Sequence, residues 1–331
     1  MKYAVYGLGN ALVDQEFEVS DEFLAANNIE KGLMTLIDEP RQHELLAQLT
    51  STFGLKKRTG GGSGANSIVA ISQFGGKTFY GCKVAQDEAG EFYASDLAKA
   101  GVKTRVNELN AQGVTGKCLV MVTEDAERTM NTFLGITSDL SERDLFLDEL
   151  KAAEYLYIEG YLVTSDVSRN AVMKAREVAR QNNIKLAMTF SDPAMAKYFQ
   201  SGLQEMMGDG LDLLFCNEEE AMSYTKTDNL ITAVQSLHPL VKKIVVTRGA
   251  KGALVVNGNH HLEIAAVPAK AIDTNGAGDI FAGAFMYGIT HGLDDAQSGR
   301  LASLSASKMV SIYGARLTTE DHKEILKQVV R

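Results

Sequence analysis

The chain is short of the features that would hold a protein together from outside its own core. It has only three cysteines, Cys82, Cys118 and Cys216, widely separated and in no CxxC pair. That spacing disfavours both a disulfide framework and a zinc site, and it fits a reducing compartment. No run of eighteen apolar residues occurs, so no membrane span is expected. The opening MKYAVYGLGN lacks the long apolar stretch of a signal peptide, which makes the cytoplasm the expected location. A broad basic field is also missing. The formal net charge is −9 at pH 7, which argues against general nucleic-acid or membrane-surface binding. There is neither an internal repeat nor a low-complexity segment. What remains is an ordinary globular composition, 45% hydrophobic and 23% charged, on 331 residues. That length predicts one large domain with an appendage, or two domains, and a core that needs no staple.

Short β-rich runs alternate with helical patterns. Strands are expected at Tyr3–Leu8, Tyr155–Glu159, Lys185–Phe190, Leu211–Cys216, Lys243–Thr247 and Ala253–Val256. All are apolar on both faces, as buried parallel strands are. Helices are expected at Ala65–Gln73, Gly90–Ala100, Ser168–Asn182, Glu218–Tyr224, Ala277–His291 and Gln297–Ile312. The alternation implies right-handed βαβ crossovers, hence an α/β fold with a doubly wound, mostly parallel sheet. Two stretches depart from it. KCLVMVT-EDAE-RTMNTFL, between Lys117 and Leu134, reads as a hairpin, and Gln15–Val19 and Leu33–Ile37 are short and β-like. They form either a small separate sheet covering a ligand site or extra edge strands on the main sheet. With the first choice, the large domain takes residues 1–10, 40–105 and 137–331, and the β lid takes 11–39 and 106–136.

The glycines mark where chemistry is expected. Pro268–Ile272 reads as a strand entering a turn at Asp273-Thr-Asn-Gly-Ala-Gly-Asp279, before a helical run. Gly276, Ala277 and Gly278 therefore stand at a helix start. Amides there lack intrahelical partners, the dipole favours anions, and small side chains let a phosphate approach the backbone. Asp279 lies in the first turn, either as a dipole-favoured acid or as a base beside the anion hole. A second cluster, Gly60-Gly-Gly-Ser-Gly-Ala-Asn66, opens another helix without the Gly-Lys-Ser/Thr of a Walker loop. It is either a tight turn or a sugar site, for which Asn66 has suitable donors and an acceptor. Gly7-Leu-Gly9 begins a dinucleotide fingerprint that fails at Leu12. Asp14 stands near the end of the first strand region, where α/β sheets bind ligands and a carboxylate can accept two hydroxyl hydrogen bonds.

These segments together resemble the ribokinase-like (PfkB) family of carbohydrate and nucleoside kinases, over nearly the whole chain and in the family's order. GGGSGANS at 60–67 is similar to its N-terminal signature and DTNGAGD at 273–279 to its C-terminal one. Asn217-Glu-Glu-Glu220 resembles its NxxE element, and Thr247-Arg-Gly249-Ala-Lys-Gly252 its nucleotide loop. The resemblance implies a large doubly wound domain with a β lid. It implies Asp279 as general base and the amides of Gly276, Ala277 and Gly278 as anion hole. Asn217 and Glu220 would organise Mg²⁺, partly through water, and Thr247, Gly249 and Gly252 would line the ATP side. GNALVD at 9–14, EGYLVT at 159–164 and FSDPAMAKYF at 190–199 resemble most the adenosine kinase branch. By that likeness Asn10, Asp14, Gly61, Gly62 and Asn66 would surround ribose hydroxyls, Arg128 would neutralise the moving phosphate, and Tyr161 would stack on the base. Ala194-Met195 departs from the branch, which has an aromatic after the proline. Some family members bind a monovalent cation, and Asp273, Asn275 and the Tyr313-Gly-Ala315 loop are placed to hold K⁺.

The expected activity is transfer of the γ-phosphate of ATP to a hydroxymethyl group of a nucleoside or sugar. The expected partners are small molecules, without nucleic acid or membrane, on a monomer or homodimer. A sugar kinase acting on ribose, fructose or a keto-deoxy acid is the alternative within the family. An NAD-dependent oxidoreductase and a non-catalytic binding protein on the same fold are the alternatives outside it.

Overall fold

The computed structural model describes residues 2–125 and 127–329. Its strands are β1 Tyr3–Leu8, β2 Leu12–Glu18, β3 Met34–Leu36, β4 Lys57–Gly61, β5 Thr78–Gly81, β6 Thr115–Val122 and β7 Arg128–Gly135. The series continues with β8 Ala153–Ile158, β9 Lys185–Thr189, β10 Leu211–Asn217, β11 Val241–Thr247, β12 Ala253–Asn257 and β13 His260–Ile264. Eight of them form one sheet in the order β13-β12-β11-β10-β9-β8-β1-β5, parallel from β5 through β11. Strands such as Tyr155-Leu-Tyr-Ile158 are buried on both faces, and apolar clusters with helices pack each side. The chain winds outward in one direction from β1 through β8 to β11, and in the other to β5. The carboxyl end of β1 is thus a topological switch point, where a doubly wound sheet leaves a crevice.

The second sheet has the order β3-β7-β6-β2-β4, so the interrupting strands form a separate sheet and not extra edges of the first. Its own apolar core joins Phe17, Leu119 and Met121 to Leu45 and Leu49 of the Glu39–Thr52 helix. The lid is thereby larger than 11–39 and 106–136: it takes in β4, and the Glu39–Thr52 helix packs on it. β4 is polar and glycine-rich, KRTGG, which hides it from hydropathy.

Two further expectations are corrected. Ala253–Val256 is a strand, but it pairs antiparallel with β11. The five residues from 248 to 252 are too few for a crossover, and only a hairpin closes over that distance. Pro268–Ile272 forms no strand. It runs as irregular chain, with the N–H groups of Ile272 and Asp273 donating to the Val310 carbonyl at 2.8 ± 0.0 Å is not its geometry; the two bonds measure 2.7 and 3.2 Å and dock it on a helix end.

Candidate active site

A cavity of about 450 Å³ opens between the two sheets, over the switch point. Both sheets deliver side chains to it by their periodicity. On the lid, Arg128, Met130, Thr132 and Leu134 alternate along β7, Met34 and Leu36 along β3, and Leu12 and Asp14 along β2. Each set is one face of its strand. Opposite lie Gly62, Ser63 and Asn66 from the start of the Ser63–Gln73 helix, and Gly276, Gly278 and Asp279 from the start of the Ala277–Thr290 helix. Glu159, Tyr161, Asn217, Glu220, Asp273 and Asn275 complete the wall.

Asp279 is held on both oxygens. The Ser63 hydroxyl donates to Oδ1 at 2.6 Å, and Asn66 Nδ2 donates to Oδ2 at 3.0 Å. Removal from water pushes its pKa above the usual carboxylate range, against the two hydrogen bonds and the Arg316 charge. Beside it, Gly276 caps the helix at φ +72°, where a Cβ would meet Ala315 Cα at 2.8 Å. Only glycine fits there. Gly278 is different: a Cβ built on it meets nothing within 4 Å, so its backbone faces open cavity. The Ala277 N–H turns back to the Thr274 carbonyl at 3.3 Å, a long bond.

Asp14 stands across the cavity, with Gly61 on the paired strand. A Cβ at Gly61 would fall 2.1 Å from Asp14 Oδ1. Gly61 therefore makes room for the carboxylate without itself lining the cavity. Burial raises the Asp14 pKa to about 7, with Arg316 and Arg128 opposing the rise and Asp279 and Glu16 adding to it. Asn10 is buried, and its groups are already used: its backbone N–H and Nδ2 donate to Glu159 at 3.2 and 3.1 Å, and Thr137 donates to its Oδ1 at 3.3 Å. Glu159 also takes the Gly64 N–H at 2.8 Å, so one buried carboxylate ties β8, the β1–β2 turn and the first glycine signature together. Burial raises its pKa to about 7.

At the other end, Asn217 and Glu220 form a capping box. Glu220 N–H donates to Asn217 Oδ1 at 2.7 Å, while Asn217 N–H and Nδ2 donate to the Glu220 carboxylate at 3.0 and 2.8 Å. Glu220 is buried, which raises its pKa to about 8. Thr247 lies beside Asn217 in the β10–β11 register, but Thr247, Gly249 and Gly252 do not line this cavity. Gly252 answers a need of the fold, since a Cβ there would strike the Ile264 carbonyl at 2.0 Å. Tyr161 lines the cavity with its hydroxyl on Asp192 Oδ2 at 3.3 Å, and Met195 is packed away in the core.

Arg128 reaches from the lid to Asp273 in a buried ion pair, with Glu16 at 3.4 Å. Asp273 also accepts the N–H of Asn275 at 2.9 Å and of Gly314 at 2.8 Å. Sequence reasoning missed Ser63, Glu159, Arg316 and the apolar wall of Leu12, Met34, Leu36, Met130 and Leu134. Ser63 and Glu159 stand inside quoted motifs, and the wall has the period of two that marks a strand face.

A base-bearing helix start, an open glycine backbone and a β lid over a switch-point crevice define a small-molecule phosphotransferase. Residues 34–322 match the family described as pfkB family carbohydrate kinase, and the chain belongs to that family. It is an ATP-dependent kinase of this family. It is 29% identical to adenosine kinase from Saccharomyces cerevisiae over 306 residues, covering 87% of this chain and 88% of the relative. The structure of adenosine kinase from Sinorhizobium meliloti superposes with a TM-score of 0.91 at 30% identity, covering 99% of this chain and 100% of that one. A probable sugar kinase protein from Rhizobium etli CFN 42 gives 0.90 at 31%, covering 99% and 98%. Among the described residues no helix is long and apolar enough to cross a membrane.

Proposed function

We propose that this kinase moves the γ-phosphate of ATP onto the hydroxymethyl group of an adenosine-like nucleoside. The observation that carries the proposal is the two-sided cavity. Polar groups, Asp14, Asn66 and Asp279, suit ribose hydroxyls, and the Met34, Leu36, Met130 and Leu134 wall with Tyr161 offers an apolar face of the kind a base covers. A bare sugar leaves that wall wet. The likeness to adenosine kinases supports the same substrate. A sugar acid needs a free cation, and Arg128 is already shared between Asp273 and Glu16.

Asp279 takes the proton of the hydroxymethyl group as its oxygen bonds to the γ-phosphorus. The β,γ-bridging P–O bond breaks, and ADP leaves. The work is mostly positioning and charge stabilisation. Amides at the start of the Ala277–Thr290 helix face the phosphate. Arg128 approaches it by exchanging the Asp273 carboxylate for the phosphate anion.

Mg²⁺ supplies charge neutralisation on the phosphates. Asn217 and Glu220 would hold it, largely through water, as no group of three or more His, Cys, Asp or Glu forms a metal cage among the described residues. Glu220 fits that task, being a buried carboxyl at the cavity that lacks a cationic partner. Potassium fits less well at Asp273 and Asn275: the Asp273 carboxylate already has a guanidinium and two N–H donors, and no step is assigned to that ion.

The test is coupled-assay turnover with ATP and Mg²⁺ over adenosine, inosine, ribose, fructose and keto-deoxy-gluconate. Adenosine is expected to give the highest kcat/KM. Preference for a free sugar would discard the base pocket while keeping the fold and Asp279. A second expectation concerns Asp14. Its carboxyl titrates near pH 7 before substrate binds, and only the charged form gives strong acceptors to two hydroxyls. KM for the nucleoside should therefore rise as pH falls through about 7. Asp14→Asn should raise KM about tenfold or more, the cost of one charge-assisted hydrogen bond, and flatten that dependence. An unchanged KM profile in the variant would remove Asp14 from the site.

A further inference from the structure

We infer that Arg316, which lies outside both glycine-rich signatures, is the positioning residue of the base, holding the Asn66 amide so that it donates to Asp279. The inference rests on Asp279 being the base.

Arg316 follows the Tyr313-Gly-Ala315 loop, and its side chain is 13% exposed. Its Nε–H donates to Asn66 Oδ1 at 2.9 Å, across 250 residues of chain. One of its terminal nitrogens donates to Asp96 Oδ2 at 2.5 Å, and Asp96 also accepts the Gly60 N–H at 3.2 Å. A guanidinium is only a donor. The Asn66 atom facing it must therefore be oxygen, which turns Nδ2 toward Asp279 Oδ2 at 3.0 Å. With Ser63 on Oδ1 at 2.6 Å, the base is fixed in rotation, and its remaining lone pairs are left for the attacking hydroxyl. The planar fork suits this job: it spans Asp96 and Asn66 at once, which a lysine ammonium on its flexible stem does not do.

The charge matters as well. The groups acting on or with Asp279 are the carboxyls of Asp14 on β2, Glu159 after β8 and Glu220 at the start of the Glu218–Thr225 helix, and the phenols of Tyr157 and Tyr161. Arg316 is the cation that counters them at Asp279. It also acts on Asp14, ahead of Arg128. Without Arg316 the base sits among acids with a freely turning amide.

The test compares full-length wild type, Arg316→Gln and Arg316→Lys. In kcat/KM against pH, Arg316→Gln should lose about 10²-fold, mostly in kcat, and its acid limb should move up by about one unit. Arg316→Lys should keep the limb near its wild-type place but not recover kcat, because the charge returns without the bond to Asn66. The Asp279 carboxyl titration, followed by NMR of labelled aspartate and assigned with Asp279→Asn, should move up in Arg316→Gln. That readout stands even if no acceptor in the panel is phosphorylated, so failure of the substrate assignment is separable from failure of this one. A loss of kcat with both the limb and the titration unmoved would reduce Arg316 to a structural residue and overturn the inference. If Arg316→Gln does not fold, Arg316→Lys decides, and wild-type kcat there overturns it.

Discussion

Replacing Asp279 with Asn should cut turnover by about 10²–10⁴-fold, the usual contribution of a positioned base, and leave the fold intact. The side chain keeps its shape, so the Ala277–Thr290 helix loses no packing. What it loses is the ability to take a proton. It also loses one acceptor, because Ser63 and Asn66 both donate to the carboxylate, and an amide presents one of them with a donor. Stability should show a distinct sign. The folded-state pKa of Asp279 is raised by burial, so in the range above its unfolded value, about 3.9, the native state binds more protons than the unfolded one. Wild-type stability therefore falls as pH rises through that range, until the folded group has also ionised. The variant should lack this component. Coupled-assay kcat and thermal melting against pH measure both. Near-normal turnover in the variant would leave Asp279 as a dipole-favoured helix acid and nothing more.

How far such a site is legible in the sequence depends on how locally it is encoded. The strands of the main sheet are continuous apolar runs, and DTNGAGD and GGGSGANS are contiguous. Their helix starts follow from composition alone. The lid boundary was harder to place, because β4 carries KRTGG and owes its strand conformation to pairing with β2 and not to propensity. Gly252 shows the converse. It belongs to a nucleotide-loop pattern, yet the Ile264 carbonyl alone demands glycine there. Asn10 stands in a motif too, and the fold commits its hydrogen-bonding groups to Glu159 and Thr137. Arg316 had no local signal. Its meaning comes from two partners, Asn66 and Asp96, each more than 200 residues away, at sequence separations of 250 and 220.

Gly278→Ala should separate what the fold needs from what the ligand needs. Its neighbour in the same signature, Gly276, is required by the protein, with φ at +72° and the Ala315 backbone 2.8 Å from any Cβ. Gly278 is in the first helical turn, is not among the positive-φ glycines, and has nothing within 4 Å of a Cβ. Alanine is the better helix former by about 0.5–1 kcal/mol, so the variant should melt no lower than wild type. The added methyl group projects into the cavity beside Asp279, where the proposed mechanism puts the γ-phosphate against the backbone. Losing one anion-hole contact costs on the order of 10²–10³-fold in kcat, and a methyl group in the phosphate's path should cost a comparable amount. The expected result is thus a protein as stable as its parent, or more so, with turnover reduced about 10²-fold. Thermal melting and coupled-assay kcat on the same preparation check both halves. Full turnover with raised stability would mean that the phosphate does not approach this amide. The anion hole would then have to be sought at Gly276 and Ala277, on the side of the turn where Ala277 N–H already leans on Thr274.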